Sequence, residues 1–436
     1  MISHIAKGVR RHLGRFARDA GGGVLTLVAI ATPVLLGMAG VGLETGSWYL
    51  DKRAAQTAAD AAAYSGALQR IRGSGAAVQQ AGIDDAAKNG FTSGGTVTVA
   101  VNNPPTSGPN AGILNAVEAI VTKKDQLLFL ALIQQGDVTV AARAVAKIQT
   151  TGSACVLALD QTASGAVTNN GNATIDMLGC TVAANSTSST AITISGSTIL
   201  NAYSLWTTGD YSNTGSGAYN FSAPPMTHAW PIVDPYAGLT IPSLSGCDHN
   251  STNVGNGTVN LSPGVYCAGL KIGSQATVTF QPGTYYIDRG DMTINAGAVV
   301  RCNCTAPGSG VTFVFTSSAD PSQIGTARIN GGADVVLQAP TDPSYPYPGL
   351  LFVQDRRASS TSTAKLNGGS TMTLTGSVYF PSQVTEWNGN NSSTGSNCVQ
   401  IVALQVVFTG NSRIENNGCQ DHGIDPISIK GVRLVE

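Results

Sequence analysis

The stretch ARINGGADVVLQ, residues 327–338, joins two apolar, strand-like segments through a turn of small residues. Alternation of apolar and polar residues around Gly and Asn predicts a strand, a turn and a second strand. The same phrase recurs in ITISGSTIL (192–200), LKIGSQATVTF (270–280), MTINAGAVV (292–300), AKLNGGSTMTLTG (364–376) and VVFTGNSRIEN (406–416). This repeat decides the fold of the later part of the chain, because each unit needs neighbours to bury its apolar face.

The positions of the repeats predict coils that stack on one another. The apolar residues that lead the phrases are 22, 35, 37 and 42 residues apart, as expected for coils of about twenty residues with loops of variable length. No helix signal interrupts them, so we predict a β-solenoid, and specifically a right-handed parallel β-helix, over residues 151–436. An antiparallel β-sandwich is the alternative. The predicted core contains the leading residues Ile272, Ile294, Ile329, Leu366 and Phe408.

Three asparagines, Asn295, Asn330 and Asn367, occupy the same place in the repeated phrase. In stacked coils their side-chain amides would form a hydrogen-bonded ladder. Asparagine also suits the backbone of a tight turn, whatever its side chain contacts. The pattern is compatible with both interpretations.

An uncharged segment, residues 21–43, precedes the repeats. Its 23 residues would span about 34 Å as a helix, more than the roughly 30 Å of a membrane's hydrocarbon core. The segment is longer than the apolar part of a secretory signal, and no A-x-A cleavage site follows it. The preceding arm, residues 1–20, is basic, so the positive-inside rule predicts a cytoplasmic N-terminus. Its basic residues are Lys7, Arg10, Arg11, Arg15 and Arg18.

Pilin-type processing is also disfavoured by the residues of this segment. Pilins are cut after a glycine and carry a glutamate at the fifth mature position. The fifth residues after the three candidate glycines are Thr26, Leu27 and Val28. The sequence therefore predicts a retained anchor, with the residues after the span outside the membrane.

Residues 44–150 predict a small α+β head. Alanine dominates residues 50–69, so the helix is expected to continue beyond the membrane. Its closely spaced small residues serve either the packing of the protein's own domain, which we favour, or a contact between copies. Three strands and a short helix are predicted to follow, the strands at 96–101, 116–122 and 137–148 and the helix at 123–133.

The segment GLETGSWYLDKRAAQTAADAAAYSGAL, residues 42–68, combines an acidic residue, an aromatic pair, a basic residue and an AADAAA run directly after the span. It resembles the N-terminal segment of the TadG-like (Tad/Flp pilus-assembly) proteins, and the resemblance covers roughly residues 15–70. DVTVAARAVAKI (137–148) resembles the strand that closes the pilin-like head of that family. The resemblance implies an outward-facing protein of the bacterial inner membrane that is linked to pilus biogenesis or to the envelope.

All eight cysteines lie beyond residue 150, and their even number in an exported chain predicts structural disulfides. Proximity in sequence suggests Cys155 with Cys180, Cys247 with Cys267 and Cys398 with Cys419, although eight cysteines allow 105 connectivities. The disulfide candidates are Cys155, Cys180, Cys247, Cys267, Cys302, Cys304, Cys398 and Cys419. Short Cys and His spacings, such as Cys419 to His422, resemble zinc motifs, but the compartment favours disulfides.

The sequence gives weak signals for chemistry. Only 11% of residues are charged and the net charge is −1, which disfavours nucleic-acid binding. Parallel β-helices can host polysaccharide lyases and hydrolases, and several side chains would suit a sugar site. These are Asp288, Asp291, Asp355, Arg356 and Arg357, with the aromatic residues Trp230, Tyr345, Tyr347 and Trp387. They form no recognisable catalytic pair, so we predict no catalytic residues, no cofactor and no metal site.

A further motif, Asp160-x-Thr162-x-Ser164, follows an apolar strand and resembles the metal-site start of von Willebrand A domains. That fold requires alternating helices and strands downstream, whereas β-rich sequence follows here. We therefore interpret the motif as a coincidence.

The patterns predict a non-enzymatic, single-pass membrane protein, and the resemblance to the TadG-like proteins implies the bacterial inner membrane, with most of the chain in the periplasm. Its expected partners are the inner membrane, through residues 21–43, and pilus-assembly proteins or cell-envelope components. A glycan surface is a further candidate partner. The alternatives are an anchored polysaccharide-acting β-helix enzyme and a secreted adhesin.

Overall fold

The structure is a computed structural model. It describes residues 23–73, 75–132, 135–171, 174–359, 361–368, 372–389, 398–410, 412–415, 419 and 424–436. The predicted basic arm, residues 1–20, and His422 lie outside the described residues. The chain forms two compact units, one containing residues up to 149 together with 431–436 and the other containing residues 150–430. Residues 431–436, which were predicted to belong to the solenoid, thus belong to the first unit.

The first unit packs two helices against an antiparallel sheet. Helix α1 spans Gly23–Ile71 and α2 spans Gly75–Lys88. Strand β1 (Val97–Asn102) pairs with β2 (Ala116–Gln126), and β2 pairs with β3 (Asp137–Ala158), whose later residues enter the second unit.

The prediction of a helix at residues 123–133 is wrong over residues 123–132, and Ile133 lies outside the described residues. Pairing between β2 and β3 continues as far as Gln126 and Asp137, so residues 123–126 extend the strand. One 3₁₀ turn, Leu130–Leu132, follows it. The partner strand supplies backbone hydrogen bonds that the sequence window could not reveal, and they override local helix propensity.

The second unit is rich in short strands. In chain order after β3 they are β4 (Val167–Asn170), β5 (Thr174–Ala184), β6 (Ile192–Ile194), β7 (Ile199–Thr207), β8 (Tyr211–Asn213), β9 (Ala218–Phe221), β10 (His249–Leu261), β11 (Gly264–Phe280), β12 (Gly283–Asp288), β13 (Met292–Ile294), β14 (Val299–Cys302), β15 (Val311–Thr316), β16 (Ala327–Ile329), β17 (Asp334–Gln338), β18 (Leu350–Gln354), β19 (Thr363–Gly368), β20 (Thr373–Gly389), β21 (Val399–Thr409), β22 (Ser412–Glu415) and β23 (Ile427–Leu434). A 3₁₀ turn at Pro321–Gln323 precedes β16, and β23 ends in the first unit.

Within the second unit the described strand pairings are parallel and form three rows. The first row runs β7, β5, β3, β21, β20, β18, β15, β12 and β11. The second runs β8, β6, β4, β21, β20, β19, β16, β13, β11 and β10. The third contains β9, β7, β5 and β22 at one end and β20, β17, β14, β11 and β10 at the other. This solenoid-like stacking is incompatible with the antiparallel sandwich.

The order of stacking differs from the order of the chain. From β3 the chain winds outward to β9, and residues 222–248, here called the crossing segment, then lead to β10. The crossing segment is held by hydrogen bonds to residues in or beside three strands. The Ile232 carbonyl accepts from Asn185, which follows β5, and the Tyr236 hydroxyl donates to Ser377 of β20. The Thr240 carbonyl accepts from the hydroxyl of Tyr347, which precedes β18. From β10 the chain winds back until β21 pairs with β3 and β4.

The core lies inside the rows of strands. All five apolar residues that lead the repeated phrases are buried, at 0–2% exposure, which confirms their predicted core position. Aromatic rings stack between neighbouring strands, with the centroid of Phe313 5.3 Å from that of Tyr285 and 5.6 Å from that of Phe352. The rows therefore share one apolar cluster that runs through many coils, and a separate apolar cluster, which includes Leu157 and Tyr379, packs against the crossing segment.

The asparagine ladder forms in part. The Asn330 side-chain amide donates to the Asn295 carbonyl oxygen at 3.1 Å. Asn367 instead accepts from Asn388 at 2.7 Å. The three asparagines of the repeated phrase thus take part in two separate amide pairs and not in one ladder.

Candidate functional site

The first part of α1, residues 23–43, is apolar and mostly exposed. It is called the apolar half of α1 below. Helix α1 is long and apolar enough to cross a membrane, judged by length and composition. Exposed fractions in this half reach 73% at Leu25 and 70% at Leu43. Surfaces this apolar and continuous are unfavourable in water, and a lipid environment removes that penalty. The apolar half of α1 is therefore a candidate membrane anchor.

The second half of α1 packs within its own unit. Its alanines at helical spacing are fully buried, including Ala55, Ala58 and Ala62. They join one core cluster with Val101 of β1 and Val117 of β2. The small residues therefore let the sheet and α2 approach α1 closely, which confirms the favoured interpretation for the buried positions.

A polar cleft of about 450 Å³ lies on the side of the β unit. Residues 239–244 of the crossing segment form one wall. Residues 316–318 and 353–357, at the ends of β15 and β18, and Tyr379 of β20 form the rest. Three of the polar residues predicted from the sequence, Asp355, Arg356 and Arg357, meet here.

Two of these residues neutralise each other. The Arg357 guanidinium bonds the Asp355 carboxylate at 2.6 Å, and Thr316 donates to the same carboxylate at 2.8 Å. Burial opposes ionisation of Asp355, but these hydrogen bonds outweigh it and hold its pKa below the ordinary value. The carboxylate is therefore a poor proton acceptor at neutral pH.

The third residue, Arg356, pairs with the crossing segment. Its guanidinium bonds Asp234 and lies 5.5 Å from the ring centroid of Tyr379. Tyr379 donates to the same Asp234 carboxylate at 3.0 Å, and burial, reinforced by that carboxylate, raises the pKa of Tyr379. Burial likewise raises the pKa of Tyr236 to about 12. Asp234, Tyr236 and Tyr379 were not predicted from the sequence, because no local motif signals a residue brought in by a distant segment.

The two other aspartates predicted from the sequence are also engaged. Asp288 is buried and accepts from the Ser318 amide at 2.7 Å and from Arg289 at 2.9 Å. Asp291 accepts from the Thr326 amide and from Arg328, at 2.9 and 3.0 Å. Each carboxylate thus joins its own local network, and the described contacts bring no two of them together as an acid and base pair.

The predicted aromatic residues do not form a sugar-stacking platform. Tyr347 and Trp387 are 3% and 2% exposed, so their ring faces belong to the core. Trp230 is 46% exposed and lies in the crossing segment, where its carbonyl accepts from the Trp206 indole at 2.9 Å. Tyr345 is half-buried beside the turn at Asp342.

Asp160 has a structural role. Its Oδ1 accepts from the amides of Thr162 and Ala163 at 2.9 Å, and its Oδ2 accepts from Gln405 at 2.9 Å. A carboxylate that bonds amides two and three residues ahead stabilises a turn. This geometry agrees with the interpretation of the motif as a coincidence.

Disulfides join the eight cysteines in four pairs. The pairs suggested by proximity, Cys155 with Cys180, Cys247 with Cys267 and Cys398 with Cys419, are all present. The remaining bond joins Cys302 to Cys304. Cys155 and Cys180 lie on β3 and β5, so their bond crosslinks neighbouring strands of one row.

Comparison with known proteins finds a family match for one part of the chain. Residues 22–70 match the Tad family model, that of the TadE/G-like proteins assigned to Flp pilus assembly. The matched segment coincides with α1, which confirms the resemblance that the sequence predicted there. No curated protein and no solved structure matches the chain.

Proposed function

We propose that this protein is a non-enzymatic, single-pass protein of the bacterial inner membrane, of the TadG-like type. It would act in the assembly of Tad/Flp pili or in attachment of the pilus to the envelope. Its N-terminus lies in the cytoplasm and the β unit lies outside the inner membrane. The observation that carries this proposal is the match of residues 22–70, which covers both the exposed apolar half of α1 and its buried alanine-rich half.

The β unit is best described as a right-handed parallel β-helix. Support comes from its three rows of parallel strands and from the continuous core beneath them. The proposed role of this unit is to present loops and strand edges to pilus parts or to other envelope components. The absence of enzymatic activity is proposed because each carboxylate predicted for a sugar site has a local hydrogen-bonding partner.

Crosslinking in the native envelope tests the proposal. Protein captured through a C-terminal tag after crosslinking should retain pilus-assembly components. A variant in which residues 23–43 are replaced by an unrelated spanning helix keeps the anchor and controls for nonspecific membrane capture. Consistent absence of pilus components from the native sample would contradict the proposal.

The polar cleft supports a second candidate role, contact with a glycan. Arg356 and Arg357 line it with side chains that stay 43% and 54% exposed despite their ion pairs, and the exposed Ser318 lies in the same lining. Calorimetric titration with peptidoglycan fragments tests this role, with Arg356→Ala as the comparison. The same heat of binding in both proteins would exclude the cleft. Release of reducing or unsaturated sugar ends would instead support the enzyme alternative.

A further inference from the structure

An apolar loop follows β2 in the first unit. Residues 127–132, LLFLAL, carry no polar side chain. Leu128 is 74% exposed and Phe129 is 44% exposed, and Ala131 is exposed as well. Single exposed apolar residues are common on protein surfaces, but this group is contiguous and therefore calls for a partner.

The loop lies against the end of the apolar half of α1. A methyl group added at Gly40 would come within 2.6 Å of the Phe129 ring, so only glycine leaves room for this contact. Gly40 and its neighbours Met38 and Leu43, 68% and 70% exposed, belong to the candidate membrane anchor. The exposed loop and the exposed helix therefore form one continuous apolar surface.

Glu44 satisfies the backbone of this loop. Its carboxylate accepts from the amides of Leu128, Phe129 and Leu130 at 2.7, 3.1 and 2.9 Å. Glu44 is 5% exposed, so these bonds are shielded from water. A non-helical segment can enter the edge of a bilayer when its backbone groups are satisfied within the protein. Here three backbone donors share one carboxylate.

Aromatic and charged residues lie further along α1, towards its C-terminal end. Trp48 and the 63% exposed Tyr49 come one turn after Glu44, where aromatic residues favour the membrane interface. Lys123 then bonds both Asp51 and Asp125 at 2.9 Å. The loop thus lies between an apolar helix segment and an aromatic and charged belt, the level of the boundary between acyl chains and head groups.

We propose that residues 127–132 insert Leu128 and Phe129 into the outer leaflet of the membrane that α1 spans, so that this unit contacts lipid acyl chains at a second point. The inference rests on the proposed anchoring of α1. A second contact would fix the tilt and rotation of the first unit at the membrane surface, which a single helix leaves free.

Fluorescence quenching by brominated lipids tests the insertion. The full-length protein is reconstituted in phosphatidylglycerol and phosphatidylethanolamine vesicles, with a fluorescent non-natural residue at one position. Leu128 and Ala131 report on the loop, and Leu35, 64% exposed in α1, reports on the anchor. Leu114 is the matched control, because it is 66% exposed and lies two residues before β2, whereas the loop follows the other end of that strand.

We expect labels at positions 128 and 131 to be quenched by lipids brominated near the head group. The label at position 35 should be quenched by lipids brominated deeper in the chain, and the label at 114 by neither. Quenching at position 35 but not at positions 128 or 131 would overturn the proposed insertion and leave the anchor intact. The same result is expected if the loop is buried against another copy of the protein. Absence of quenching at 35 would instead contradict the anchor itself.

Discussion

Leu157 of β3 pairs in parallel with Val402 of β21, which joins the beginning of the β unit to a strand near its end. Both side chains are fully buried. The β unit begins in the middle of its own stack of strands. The chain leaves this stack at one end, passes along its outside as the crossing segment, and enters the stack again at the other end. Because this seam closes only when both ends of the unit are folded, we infer that the unit unfolds as a whole and not coil by coil.

The repeat register can be tested at Ile329, which is 2% exposed in β16. Ile329→Asp would place an unpaired charge in the apolar core and should lower the free energy of unfolding by several kcal/mol. Thermal unfolding followed by circular dichroism measures the loss. The control is Val336→Asp in neighbouring β17, where the side chain is 40% exposed and the effect should be small. Equal melting of the two variants would contradict the register.

Disulfide contributions should differ with the length of chain that each bond closes. Replacing Cys155 and Cys180, 25 residues apart, by alanine should cost about 2–4 kcal/mol. Replacing Cys302 and Cys304, 2 residues apart, should cost much less because the bond restricts the unfolded chain little. Denaturant unfolding measures both losses. Free thiols found by alkylation of the unreduced native protein would refute the bonds.

Glu118 predicts an acid-sensitive step in the first unit. It is fully buried and accepts from Thr106, Ser107 and Arg143 at 2.7 Å each. Burial opposes its ionisation, but the hydrogen bonds outweigh burial and lower its pKa well below the ordinary value. Since the folded pKa is the lower one, the carboxylate stabilises the fold at neutral pH. This stability should be lost as the pH falls below about 4.3 towards the folded pKa.

Unfolding measured between neutral and acid pH checks this dependence. Glu118→Gln should be less stable than the parent at neutral pH, and the difference should shrink as the pH falls. Asp137→Asn, at an exposed position on β3, is the matched control and should follow the parent. A constant difference between parent and Glu118→Gln at all pH values would argue against a charged Glu118.

Glu44 should protect the amides of the apolar loop. Glu44→Ala leaves the donors of Leu128, Phe129 and Leu130 without their acceptor, so hydrogen exchange of these amides should accelerate. Mass spectrometry of the protein in lipid nanodiscs measures the exchange. Ser47→Ala, at an exposed position one turn further along α1, should leave it unchanged. Unchanged exchange in Glu44→Ala would show that the Glu44 carboxylate does not protect these amides.

Local patterns predicted much of this fold. Alternation around small-residue turns located the strands, and the leading residues of the phrases, such as Ile294 and Phe408, are in the core because each coil has one inward face. The stacking order could not be predicted in this way. Pairing of β21 with β3 depends on contacts between segments far apart in sequence, and a repeat pattern is the same whichever neighbour covers it.

The candidate sites were predicted less completely. Asp355, Arg356 and Arg357 were singled out by residue type. Asp234 reaches them from the crossing segment, which carries no repeat, and Tyr379 reaches them from β20. In the first unit, a helix was predicted over residues 123–133, which contain the apolar residues 127–132. Their exposed loop depends on Glu44, which is distant in sequence and supplies the acceptor that an isolated segment would find in a helix.

The central claim is that α1 keeps the chain anchored in the membrane, with the residues that follow its apolar half outside the cytoplasm, and reporter fusions test it most directly. Alkaline phosphatase, which is active only outside the cytoplasm, is fused after Ser65 or after Glu436, and the mass of the membrane-bound protein is measured. The account predicts active alkaline phosphatase in both fusions and a membrane-bound protein that retains its basic N-terminal arm, residues 1–20. Inactive fusions, or a soluble form beginning near Gly22 or Glu44, would contradict it, and the second result would favour a secreted adhesin.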